Sequence, residues 1–167
     1  LKDLSSAGLS GDETSEENLV KSRAALVGHP LHPIFVCIPI GLWVFSLFCD
    51  LIYHAGWGDD SWKKAALYCL AGGFLGAIPA IITGLIDYPL AQGQAASVAK
   101  FHLILNLSVL PFIAVSIWLR YEEVPPAYHL LPVVISLLAV LLVSISGWLG
   151  GELVSRYRIS VHEQGES

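Results

Sequence analysis

The sequence has very little charge. Asp, Glu, Lys and Arg make up 14% of its 167 residues, against 54% hydrophobic. A soluble globular domain is nearer a quarter charged, so too few charges exist here to clothe a water-facing surface. No basic tract occurs, which excludes the electrostatic footprint of a nucleic-acid binder. Cysteine is scarce too. Cys37, Cys49 and Cys69 form no CxxC and are odd in number, so they read as buried thiols rather than a disulfide framework or cluster site. No paired nucleophile and base points to a hydrolase. The N-terminal stretch lacks the positive start and apolar core of a secretory signal.

What is present is long apolar sequence. Four runs, Ile34–Tyr53, Ala65–Ile86, Leu103–Leu119 and Leu130–Leu149, hold one formal charge between them, Asp50. Each is close to the roughly 20 residues a helix needs to cross a bilayer. Tyr53, Trp57 and Trp62 gather at one boundary, and Tyr88, Trp148 and Tyr157 at the other, as interfacial aromatics do. The expected fold is all-α: an integral membrane four-helix bundle with both termini on the same side. Residues 1–24 form an acidic tail, "SGDETSEEN" within it, that composition predicts to be mobile. Residues 25–155 form the transmembrane domain, with spans near 34–54, 64–88, 101–120 and 129–150, and 156–167 form a polar C-terminal tail.

Four spans define two membrane faces. Face A holds both termini and the loop Tyr88–Lys100, with Lys2, Lys21, Arg23, Lys100, Arg156 and Arg158. Face B holds the loops Ala55–Lys64 and Arg120–Tyr128, with Lys63, Lys64 and Arg120. The positive-inside rule then sets the termini in the cytoplasm.

Counting depth from the run ends gathers polar groups at face A. His29 and His32 precede the first span, Thr83 and Asp87 end the second, His102 and Asn106 open the third, and Ser146 and Glu152 close the fourth. His102 and Asn106 are four apart and share a helix face, as do Thr83 and Asp87. Face B offers Asp50 and His54, also four apart, and His129, which read as interfacial polar residues. The second span carries Gly72, Gly76, Ala80 and Gly84, a side-chain-free strip that Gly147 and Gly151 echo in the fourth. Such a strip permits close helix packing, or makes a groove for a flat molecule such as a porphyrin or quinone. Pro39, Pro79 and Pro111 predict kinks within spans, while Pro132 sits in a first turn, where it is tolerated.

The ordered set "GHPLHP", "PIGLWV", Asp50, "TGLIDY", His102 with Asn106, and "SGWLGGELV" resembles a bacterial family of predicted four-helix membrane proteins of unknown function. The likeness runs from about Gly28 to Val154. It implies a bacterial inner-membrane protein with the acidic tail outside the family core. Some members of that family are joined to a Rieske-type iron–sulfur domain, which implies a redox setting and a redox partner such as an iron–sulfur protein. This chain lacks the Cys/His ligand pairs such a cluster needs.

Three functions fit these residues. In the first, the bundle is a subunit that anchors or assembles a larger membrane complex, or pairs with its own copies. Its face-A groups then form a structural network, with His32 capping the first helix, Pro33 opening it, and His29 and His32 bonded to Asp87 or Glu152. In the second, the chain binds b-type haem or a transition metal. His32 and His102 are the ligands for haem, and His29 joins them for a metal. Asp87, Asn106 and Glu152 then support the ligands. In the third, it transports protons or small solutes. No mid-membrane charge or inverted repeat of the kind carriers use is apparent.

Overall fold

The computed structural model describes residues 21–122 and 129–160. Most of the predicted acidic tail, the end of the Arg120–Tyr128 loop and residues 161–167 lie outside the described residues. Four helices cross the molecule: α1 (Leu31–His54), α2 (Asp60–Asp87), α3 (Gln94–Tyr121) and α4 (Leu131–Ser155). All are long and apolar enough to span a membrane. A short hairpin, β1 (Ala25–Leu26) and β2 (His29–Pro30), precedes α1, and a 3-10 turn, Tyr88–Leu90, follows α2. The outer faces expose Ile34, Phe48, Leu75, Phe101 and Leu141, a carbon surface suited to lipid rather than water.

The helices start where their end chemistry allows. Asp59 caps α2 by accepting from the Ser61 amide and hydroxyl, and that hydroxyl in particular holds its carboxyl below the usual carboxylate range. Gly93 precedes α3 with φ 56°, a backbone state that favours glycine. Pro132 lies in the first turn of α4, where its missing N–H costs nothing. At α1 the expected cap is displaced. The helix begins at Leu31 with Pro30 as its cap, so His32 and Pro33 both lie inside the first turn. Proline is tolerated there because first-turn amides have no partner within the helix. The turn of the β-hairpin places Val27 at φ 50° and Gly28 at φ 78°, both left-handed, as a tight hairpin turn demands.

Packing divides the bundle into two helical hairpins. α1 lies chiefly on α2, and α3 on α4; α1–α4 and α2–α3 contacts then join the hairpins, leaving α1 and α3 diagonal. The hairpins repeat each other. Pro39, Trp43, Ser46 and Asp50 on α1 match Val109, Ile113, Ser116 and Arg120 on α3, each pair 70 residues apart as in Asp50–Arg120. Ala66, Leu70, Gly73, Ala77 and Ala80 on α2 match Pro132, Ser136, Ala139, Val143 and Ser146 on α4. The bonds repeat as well: Ser46 Oγ donates to the Ala66 carbonyl at 3.0 Å, and Ser116 Oγ to the Pro132 carbonyl at 3.0 Å. Both hairpins start at face A, so they form a parallel repeat about an axis along the bundle. The buried core, including Trp43, Ala77, Val109, Ile113, Ala139 and Val143, surrounds that axis.

Candidate functional site

At face A the axis runs between His32 and His102. They occupy matched positions on α1 and α3, and their ring centroids stand 6.1 Å apart with planes at 82°. Their surroundings match too. His32 Nδ1 lies 2.8 Å from the Ala80 carbonyl of α2, and His102 Nδ1 lies 2.7 Å from the Ser146 carbonyl of α4. A carbonyl only accepts, so each Nδ1 carries a proton. In the neutral ring each Nε2 then presents a lone pair. Ala80 and Ser146 are themselves matched positions.

Two glycines admit the rings. A Cβ on Gly84 would meet the His32 ring at 2.9 Å, and one on Gly150 would meet the His102 ring at 3.0 Å. Those glycines are again matched, on α2 and α4. The rest of the predicted strip has a different task. A Cβ on Gly72 would approach Leu42 and one on Gly76 would run into Ile38, so these residues let α1 and α2 close together. Ala80 and Gly84 also line a cavity.

That cavity has a volume of about 520 Å³ and is walled by all four helices. Sites for small molecules and cofactors commonly occupy about 300–1,000 Å³. Its walls come in matched pairs: Val36 with Asn106, Ile40 with Leu110, Ala77 with Val143. Trp43 forms part of it, buried against Gly73 and donating from Nε1 to the Leu70 carbonyl at 3.3 Å.

Of the residues expected to support the histidines, one does so. Asn106 Nδ2 lies 3.1 Å from His102 Nε2 and 2.9 Å from the His102 carbonyl. His32 Nε2 has no such partner among the described residues, because its matched neighbour is Val36. Asp87 touches the cavity but is engaged elsewhere. Its carboxylate accepts from Ser22 Oγ (2.6 Å), the Arg23 amide (2.8 Å) and the Ala24 amide (3.1 Å), and so pins the chain before the β-hairpin. Glu152 pairs with Arg156 at 2.8 Å. His29 is exposed on the β-hairpin, with Nδ1 3.0 Å from the Val27 carbonyl. Among the described residues no three His, Cys, Asp or Glu side chains converge as a metal site would need. The structure therefore brings His32, His102 and Asn106 together and leaves His29, Asp87 and Glu152 with other partners.

Residues 28–163 match the model of a family described as predicted membrane protein, DUF2231. The chain belongs to that family. No curated protein and no solved structure matches the chain. The family match covers the whole of α1–α4, and with them both histidines, both cradling glycines and the cavity. Membership places the DUF2231 chain in a lipid bilayer with four spans; its description assigns no activity.

Face B carries a second polar cluster that the sequence reading did not assemble. Arg120 was expected in a loop. It lies instead inside α3 and turns inward, Nη1 and Nη2 each 2.7 Å from one oxygen of Asp50. The side chains are 10% and 2% exposed. Ser136 Oγ lies 3.3 Å from Arg120 Nη2 and 2.8 Å from Ser116 Oγ. A bidentate pair of this kind satisfies both charges, and removing one partner of such a buried pair costs about 3–5 kcal/mol. The last turn of α3 thus carries a buried formal cation, neutralised where it stands. His54 does not join Asp50; its ring faces His129, centroids 5.7 Å apart.

Proposed function

We propose that the protein is a membrane electron carrier that holds a b-type haem between His32 and His102. The observation that carries this reading is the pair of matched imidazoles, each with Nδ1–H fixed on a backbone carbonyl, so that Nε2 carries the lone pair: free of a hydrogen bond among the described residues at His32 and held by Asn106 at His102. Histidine ligands of metals are held in this way by their far nitrogen. His32 and His102, whose ring centroids stand 6.1 Å apart, would hold the iron through their Nε2 atoms. The apolar cavity about the axis suits a flat macrocycle, and its symmetry suits a group with equivalent faces. When bound, haem supplies one-electron chemistry. The chain's own residues orient the two rings, exclude water and leave the neighbouring carboxylates occupied elsewhere. A redox setting, an inner-membrane location and cytoplasmic termini belong to the same reading.

A colourless subunit of a larger complex is the competing reading, and the same ring distance suits an ordinary edge-to-face pair. The two differ at His32 Nε2. A purely structural network has no use for an imidazole nitrogen, on a cavity-lining residue, without a hydrogen-bond partner among the described residues, whereas a haem ligand needs such a nitrogen. A transport reading turns on Asp50, which Arg120 already engages. The visible spectrum of the purified protein decides. The expected result is a Soret band with sharp reduced α and β bands, lost in both His32→Ala and His102→Ala. A colourless protein, without iron and copurifying with a stoichiometric membrane partner, means the subunit reading is right and the haem reading is not.

A further inference from the structure

The two histidines sit on different hairpins. Their spacing therefore depends on how one hairpin is held against the other. Within each hairpin several hydrogen bonds join the helices, His32, Trp43 and Ser46 making those of the first. Among the described residues, the hydrogen bonds that join one hairpin to the other are the two between Arg120 and Asp50. They lie on the same axis as the histidines, at the opposite face. On α1, His32 and Asp50 are about five helical turns apart, and on α3, His102 and Arg120 are the same about five turns apart. Each helix thus turns one ligand and one charge toward the axis from a single face, with both ligands at one level and both charges at the other.

We infer that Asp50 and Arg120 are positioning residues for the His32–His102 site. The inference rests on the haem reading. α1 and α3 stand diagonally and do not pack directly as neighbours. Apolar side chains between them fill space but tolerate small rotations and slides. A bidentate Arg–carboxylate pair fixes distance, height and rotation together, because both parallel N–H···O bonds must stay in plane. Here each bond is 2.7 Å and the pair is almost wholly buried, so water cannot replace either partner at low cost. Fixing α1 and α3 at face B sets the register in which the two imidazoles meet at face A. Among the described residues the pair's further bonds are to Ser116 and Ser136 of the second hairpin, and His54 is the titratable group within electrostatic reach of both charges.

The internal repeat provides the test. Because positions 50 and 120 are equivalent, exchanging their charges in Asp50→Arg/Arg120→Asp rebuilds the pair in mirror sense. The exchanged arginine then lies beside Ser46 in place of Ser116, but beside Leu70 in place of Ser136, so adding Leu70→Ser completes its surroundings. Full-length protein in nanodiscs is compared with Asp50→Asn, the exchange and the completed exchange. The readouts are haem occupancy, midpoint potential and the low-spin ferric signal in electron paramagnetic resonance, which responds to the angle between axial imidazole planes. Helix content and elution volume report folding separately. The expected result is a folded Asp50→Asn with less than half the wild-type occupancy, an altered ferric signal and a shifted midpoint. The exchange recovers these in part and the completed exchange further. If Asp50→Asn does not fold, the two exchanges decide: a ferric signal closer to wild type in the completed exchange than in the simple one supports the inference, and a signal equally disturbed in both, or an unfolded completed exchange, overturns it. A folded Asp50→Asn with wild-type occupancy, signal and midpoint overturns it too, while wild-type protein without haem sinks the function reading itself.

Discussion

Asn106 is where the two halves of the site differ. It donates to the His102 lone pair, whereas the matched Val36 gives His32 nothing. The amide keeps a second acceptor, the His102 carbonyl, so it holds a bond when Nε2 is taken by something else. Asn106→Val removes the competitor and makes the cavity walls alike. One hydrogen bond of this sort is worth about 1 kcal/mol, so apparent haem affinity should rise about fivefold, as titration of the apoprotein measures; unchanged or weaker binding shows that Asn106 does not compete. His32, His102 and Asn106 were legible in the sequence because depth can be counted from the ends of apolar runs. Which carboxylate reaches them was not. Asp87 and Glu152 have the right depth, but the amides of Arg23 and Ala24 take one and Arg156 the other. The acceptors that do hold the rings are backbone carbonyls of Ala80 and Ser146, which no side-chain pattern announces.

Glycine spacing on α2 and α4 belongs to the helix, and it sorts by neighbour. Gly84 and Gly150 each face an imidazole, and Gly41 faces open space. Gly84→Ala and Gly150→Ala should therefore each displace a ring, at the 1–3 kcal/mol that overpacking costs roughly, and lower haem occupancy to similar extents. Gly41→Ala should leave occupancy alone. Occupancy is read from the Soret-to-protein absorbance ratio; a deficit confined to one of the first two variants counts against equivalent ligands. The four-residue strip on α2 was plain in the sequence, yet the matching glycine on α4 is Gly150 rather than Gly147 or Gly151, which the same spacing rule selects. Contact with His102 distinguishes it, and that depends on the rotation of α4. Helix existence followed from apolar length. The helix starts did not, because α1, α2 and α3 all begin ahead of their apolar runs, α2 and α3 with polar residues in the added turns.

At the scale of the molecule the repeat is the main feature that sequence inspection passed over. Few identities mark it: His32 with His102, Ile34 with Ile104, Ser46 with Ser116, Leu75 with Leu141 and Gly84 with Gly150. The other matched pairs, such as Trp43 with Ile113 or Leu70 with Ser136, share only burial and position. A search for an inverted repeat also looks for the wrong symmetry. Orientation is another whole-molecule property. With Arg120 turned inward, Lys63 and Lys64 at the start of α2 remain as the described outward basic side chains of face B, against Lys21, Arg23, Lys100, Arg156 and Arg158 at face A. In a background without native cysteines, Gln94→Cys should react with an impermeant maleimide only from the cytoplasmic side, and Asp59→Cys only from the other. The reverse pattern inverts the topology. The charges at positions 50 and 120 also make the two halves of the repeat non-interchangeable. Two identical hairpins meeting on this axis would set aspartate against aspartate, or arginine against arginine, in a buried site. Neither half can therefore be replaced by a copy of the other without leaving like charges face to face.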